Sequence, residues 1–177
     1  DRWILSRLNH TIASVTRLLD NYEFGEAGRQ AYEFLWGEYA DWYIEMSKIA
    51  LNSSDPQVQA RTAAVLVHVL GKTSGGEALV IAAWPTPGPI DLSAEADMTL
   101  LMDAIRAIRN ARAERNVEAG KKLAVMIASA EKAELFETQR AEFAFLARLD
   151  PEALYVADRL QAEPQGALPI VLGTATI

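Results

Sequence analysis

Residues 98–127 read MTLLMDAIRAIRNARAERNVEAGKKLAVMI, and the hydrophobic period changes inside this stretch. Met98, Leu101, Met102, Ile105 and Ile108 recur at helical spacing, and at about 100° per residue they define one apolar face. Leu123-Ala124-Val125-Met126-Ile127 is instead a short continuous apolar run, the pattern of a buried strand. The spacing therefore predicts a helix from near Ser93, a candidate N-cap, to about Asn116, and then a switch to mixed structure near Val117–Lys121.

Upstream of the switch the chain reads as helices. Leu5, Leu8, Ile12, Val15 and Leu19 predict an amphipathic helix over about 2–20, ended by a turn at Asp20-Asn21. A second helix is expected from about Gly25 to Lys48, with the stripe Tyr32, Leu35, Trp36, Tyr39, Trp42, Tyr43 and Met46. That stripe reads as core before it reads as a base-stacking platform, and Phe34 lies off it. Asp55-Pro56 suits an N-cap and first helical residue, opening a third helix from Gln57 to Leu70. Gly71 to Gly76 reads as a loop, Leu79–Ala82 as a short apolar run, and Trp84 to Pro89 as an irregular linker. Downstream, Glu131–Leu149 reads as a helix, and Leu154–Val156 and Leu168–Ile177 as strands, the last broken by Gly173. The expected fold is mainly α: a helical bundle over 1–117, then a small α+β subdomain over 118–177.

Composition narrows the chemistry. The chain has 177 residues, 50% of them apolar, and 17 Lys+Arg against 24 Asp+Glu give a net charge of −7. Half-apolar chains of this length bury enough surface to fold. No apolar run approaches the roughly 20 residues that cross a bilayer, and the charged N-terminus shows no secretory signal. With no cysteine and only His10 and His68, thiolate metal sites, a Cys nucleophile and His-based triads lack their residues. No metal site and no catalytic residue is expected. Gly71-Lys72-Thr73 resembles the end of a phosphate loop, but that loop needs a glycine where Leu66 stands. The carboxylates are scattered over solvated helix faces, without the apolar pairing that acid–base work requires.

The informative chemistry lies between Arg106 and Lys122. Six cations (Arg106, Arg109, Arg112, Arg115, Lys121, Lys122) face two acids (Glu114, Glu118), so this stretch carries +4 and the remainder −11. Such asymmetry in an acidic chain points to a patch for an anion. Arg109, Arg112 and Asn116 fall on the apolar helix face. Burying guanidinium groups without partners is expensive. They therefore either pair with carboxylates such as Glu33 and Glu38, or the helix leaves the core after Ile108 and offers them to a partner. Arginine suits phosphate through bidentate hydrogen bonds. Arg109, Arg112, Arg115, Lys121 and Lys122 are the expected contacts to a phosphate backbone, with Asn116 as a polar contact; Arg2 and Arg7 on the first helix are secondary candidates. The rival class is a helical protein-interaction module in which the arginines serve a protein or an internal salt network.

DRWILSRLN (1–9), YEFGEAGRQAYEFLWGEYADWYIEMSK (22–48), AAWP (82–85), IRAIRNARAERNV (105–117) and KKL (121–123) resemble, in order and spacing, the post-catalytic region of valyl-tRNA synthetases, class I enzymes. Asp41-Trp42-Tyr43 and the IRAIRN helix resemble the valine branch of that group in particular. The resemblance implies an anticodon-binding helical bundle followed by a small α/β subdomain. It implies a share in a ligase reaction that joins valine to tRNA using ATP and Mg, with the valine tRNA anticodon stem and loop as partner, alongside the remaining domains of the same synthetase. It implies neither DNA nor membrane contact, and a cytoplasmic location. The family's His-Ile-Gly-His and Lys-Met-Ser-Lys-Ser type motifs, its nucleotide-binding fold and its editing domain are absent here, so no cofactor is expected on these residues and no valine activation from them alone. The family's bundle begins with an earlier helix, and a coiled coil would follow Ile177. Between Leu70 and Gly71 the family carries a His-Pro-Phe-Met-Pro-Phe type turn; its absence reads either as a deletion or as a break in the chain.

Overall fold

A computed structural model describes residues 1–74, 83–159, 167–172 and 175–177. The chain forms two compact units, Asp1–Glu95 and Ala96–Ile177, and the division between them falls in the first turn of the long helix.

The first unit is helical. α1 (Arg2–Asp20) buries Trp3, Ile4, Leu8, Ile12, Val15 and Leu18, close to the expected face but turned toward Ile4 and Leu18 rather than Leu5 and Leu19. It ends where Tyr22 adopts a left-handed backbone (φ 63°) and Glu23 N–H reaches back to Leu18 O at 2.8 Å, closing the last carbonyls. α2 (Phe24–Glu33) packs against α1, with Ala27 meeting Val15 and Leu18. α3 (Glu45–Leu51) pairs with α4 (Pro56–Ser74). Asp55 caps α4 as expected, its carboxylate accepting Gln57 N–H at 2.8 Å.

Between α2 and α3 the helix does not stay α. Phe34–Ile44 is π-helical for 11 residues, with i→i+5 bonding. Wider turns shift the buried face. Phe34 and Tyr39, five apart, both go inside with Trp42 and Tyr43, whereas Tyr32 and Trp36 are 63% and 58% exposed. This corrects the sequence reading of the stripe: Tyr32 and Trp36 are not core, and Phe34 is. The segment is tied down by polar bonds. Tyr39 OH donates to Leu66 O at 2.9 Å, and Arg7 grips Glu38 through Nε and Nη2 at 2.7 and 2.8 Å.

Burial pushes the Tyr43 phenol up to about 12 from its usual 10.0. In the folded state the neutral form is favoured, so the unfolded phenol ionises first. Stability from this group is intact below pH 10 and is lost between pH 10 and about 12, on the order of 2 kcal/mol. Thermal melts across that window are expected to fall less steeply with pH for Tyr43→Phe than for the parent chain.

α4 continues through Leu70-Gly71 to Ser74, where the sequence suggested a loop. Its last turn is supported by Thr73 Oγ1 donating to Val69 O and Leu70 O. The Leu79–Ala82 run lies outside the described residues. α5 (Leu92–Glu114) is capped by Asp91, not Ser93: Ala94 N–H donates to Asp91 Oδ1 at 3.0 Å.

The second unit is a small α+β layer. α5 contributes buried Met98, Leu101, Ala104, Ile105 and Ile108. β1 (Leu123–Ala128) runs parallel to β2 (Leu149–Ala157), joined by α6 (Ala133–Thr138) and α7 (Arg140–Ala147). The helix expected over 131–149 is therefore two, separated at Gln139, and its end passes directly into β2. β3 (Val171–Leu172) and β4 (Ala175–Thr176) form an antiparallel pair, giving the order β2-β1-β4-β3. Phe136 and Phe143 meet edge to face at 5.3 Å beside buried Ile127, Leu149 and Leu154. The register slips between the Leu123–Leu149 and Val125–Leu154 pairs. Pro151, with no N–H to give a ladder, sits in that irregularity, and Arg140 donates to the carbonyls of Pro151 and Leu154.

Candidate nucleic-acid interface

The end of α5 is a left-handed cap. Asn116 has φ 50°, and Val117 N–H bonds Arg112 O at 2.9 Å. Asparagine is one of the few non-glycine residues that tolerate this conformation. The turn continues to Lys121, whose N–H bonds Glu118 O at 3.1 Å.

Arg112 points into this turn. It is 7% exposed, and its guanidinium donates to Glu118 O at 3.1 Å, Lys121 O at 2.8 Å and Arg148 O at 3.4 Å. Neither alternative from the sequence describes it: no carboxylate takes it, and it does not leave the core. Glu33 is bound to Arg29, and Glu38 to Arg7. A ring of backbone carbonyls satisfies the buried cation while leaving its charge in place. Arg109 makes a similar fork, donating from Nε and Nη2 to Leu146 O at 3.0 and 2.8 Å. Burial and the neighbouring Arg148 charge lower its proton affinity.

Arg148 was not singled out by sequence. It follows α7 with φ 57°, and its Nη1 donates to Ala119 O at 3.3 Å. Its signal was only that of an isolated cation in an apolar helix end. Around this cluster Arg115, Asn116, Lys121 and Lys122 are exposed. The structure therefore brings Arg109, Arg112, Lys121 and Arg148 together around one turn, with Arg115 and Lys122 on the same stretch. Both arginines expected on the apolar face are held by carbonyls, but only Arg112 is buried; Arg109, like Arg115, Lys121 and Lys122, is exposed.

The secondary candidates are differently placed. Arg2 binds Asp91, with Nε at 2.8 Å. Arg7 reaches Glu38 and, at 3.1 Å, Glu95, whose other oxygen accepts Ser6 Oγ at 2.6 Å. His10 Nδ1 lies 3.6 Å from Glu95. Both arginines are thus bound to carboxylates of the first unit. Among the described residues no group of three or more His, Asp or Glu side chains has the arrangement to hold a metal ion, and no helix is long and apolar enough to cross a membrane.

Residues 1–75 match the family described as the anticodon-binding domain of tRNA ligase. Most of the first unit is thus similar to that family. The chain as a whole is similar to valine–tRNA ligases along nearly its full length. The relative from Bacillus cereus is 38% identical over 195 aligned positions, covering 98% of this chain and 22% of the relative. That of Bacillus subtilis is 34% identical, covering 100% and 23%. That of Anoxybacillus flavithermus is 42% identical over 166 positions, covering 80% and 19%. The chain thus spans less than a quarter of the length of these relatives. The matched residues contain α1 to α4 and the π-helical segment, and the cationic turn lies beyond them.

Proposed function

We propose that this chain holds the anticodon stem and loop of a valine tRNA within a longer valine–tRNA ligase, while other parts of that protein join valine to the far end of the tRNA with ATP and Mg. The observation that carries the reading is the anticodon-binding family match over residues 1–75. The names of the relatives over nearly the whole chain support the choice of valine.

Exposed cations supply the phosphate contacts in this reading. Arg115, Lys121 and Lys122 reach solvent, and Arg148 adds to the same field. Arg112 acts by holding the turn through its carbonyls, and Arg109 by binding Leu146 O. Asn116 shapes the turn. Backbone contacts of this kind position RNA without reading sequence.

The test is a filter-binding titration with valine tRNA and a non-cognate tRNA at several salt concentrations. Tighter binding of the valine tRNA is expected. Replacing Arg115, Lys121 and Lys122 by alanine is expected to weaken both tRNAs alike and to flatten the salt dependence by a slope of about 2. Equal slopes for the parent and the triple variant, with circular dichroism unchanged, would reject these residues as contacts.

A further inference from the structure

We propose that Tyr32 and Trp36 are a stacking platform for unpaired bases of the RNA held by this domain, a proposal that rests on the RNA-binding reading above. The two rings stand one helical turn apart, with centroids at 6.0 Å and planes within 8° of parallel. They are 63% and 58% exposed, so the stacked pair remains open to solvent. Their exposure has a structural cause: the π-helical turns beginning at Phe34 rotate Phe34, Tyr39, Trp42 and Tyr43 inward and leave these two rings outside.

Charge supports a nucleic-acid base as the occupant. In residues 1–75 acids outnumber cations. Arg2, Arg7, Arg29, Lys48 and Arg61 are bound to carboxylates, which leaves Arg17 and Lys72 without a carboxylate partner among the described residues. This region therefore has little free positive charge for phosphates. Stacking needs none, since every base offers a π face to an aromatic ring. Beside the platform, Arg29 binds both Glu26 and Glu33, muting the two carboxylates that would otherwise repel an approaching RNA strand. Neutral rings flanked by neutralised acids complement the uncharged faces of splayed loop bases.

Trp3 and Trp42 are buried and Trp84 is exposed, so a Trp84→Phe background makes Trp36 the exposed tryptophan among the described residues. The probe is a short RNA hairpin carrying the anticodon stem and loop of valine tRNA. Its binding is expected to quench Trp36 emission and to shield it from acrylamide. Trp36→Ala and Tyr32→Ala should each weaken the hairpin roughly tenfold, with the salt slope unchanged because no ion is displaced. Trp36→Phe should restore most of the affinity. If the hairpin binds and Trp36→Ala binds it equally well, the platform is rejected and the RNA-binding reading stands. If the hairpin fails to bind the parent chain, both fall. If Trp36→Ala alters self-association in sedimentation while leaving hairpin affinity intact, the surface is a protein contact and the proposal is wrong.

Discussion

Phe34→Ala should destabilise the first unit by about 4 kcal/mol, the range for deleting a buried phenylalanine ring. Phe34 is 2% exposed and stands at the first residue of the π-helical segment, where α2 hands over to wider turns. Its ring therefore fills the core and also fixes the phase at which the following aromatics enter it. Phe34→Leu keeps most of the volume and should lose less than half as much. The measurement is urea denaturation followed by far-ultraviolet circular dichroism. A loss for Phe34→Ala no larger than that of Trp36→Ala would show that the inward face had been assigned to the wrong ring.

Arg112→Met should cost the second unit about 3 kcal/mol, because hydrogen bonds from a charged donor contribute more than neutral ones and their loss strands buried acceptors. The carbonyls of Glu118, Lys121 and Arg148 would lose their shared donor at once. Arg112→Lys should rescue little, since an ammonium cannot reproduce the planar fork. The partners are dipoles around a 7% exposed residue, so the loss should hardly change with salt, unlike that of a surface ion pair. Denaturation at low and high salt checks this. Hydrogen exchange should quicken at residues 117–122 in the same variant. A loss that vanishes at high salt would mean that Arg112 is paired with a carboxylate after all.

The sequence carried the fold far because its strongest signals are local. The period change between Ile108 and Leu123, the Asp55-Pro56 start and the apolar faces of α1 and α5 are all decided within a turn or two. What escaped it depended on tertiary context. Nothing in FLWGEYADWYI announces i→i+5 bonding, and an assumed α period placed Tyr32 and Trp36 inside and Phe34 outside. The irregular register at Pro151 belongs to how β2 pairs with β1, which no local pattern announces.

The candidate interface was legible as charge and not as geometry. Counting Arg and Lys found the stretch 106–122, and the helical wheel rightly put Arg112 on the apolar face. The wheel left open what satisfies a guanidinium there. The answer lies 36 residues away at Arg148 O and in a turn whose carbonyls converge only once Asn116 is left-handed. Arg148, lying outside the basic run, had no sequence context to mark it.

The strand order has a consequence for how the second unit is made. β1 lies between β2 and β4, and β4 (Ala175–Thr176) follows β2 in the sequence. As the polypeptide emerges, β1 gains its parallel neighbour well before β4 exists, and one side of it stays open as a template for another strand. Thr176 of β4, opposite Ala128, covers that flank, and Ile170 and Ile177, exchanging amide bonds at 2.7 Å, lock β4 to β3.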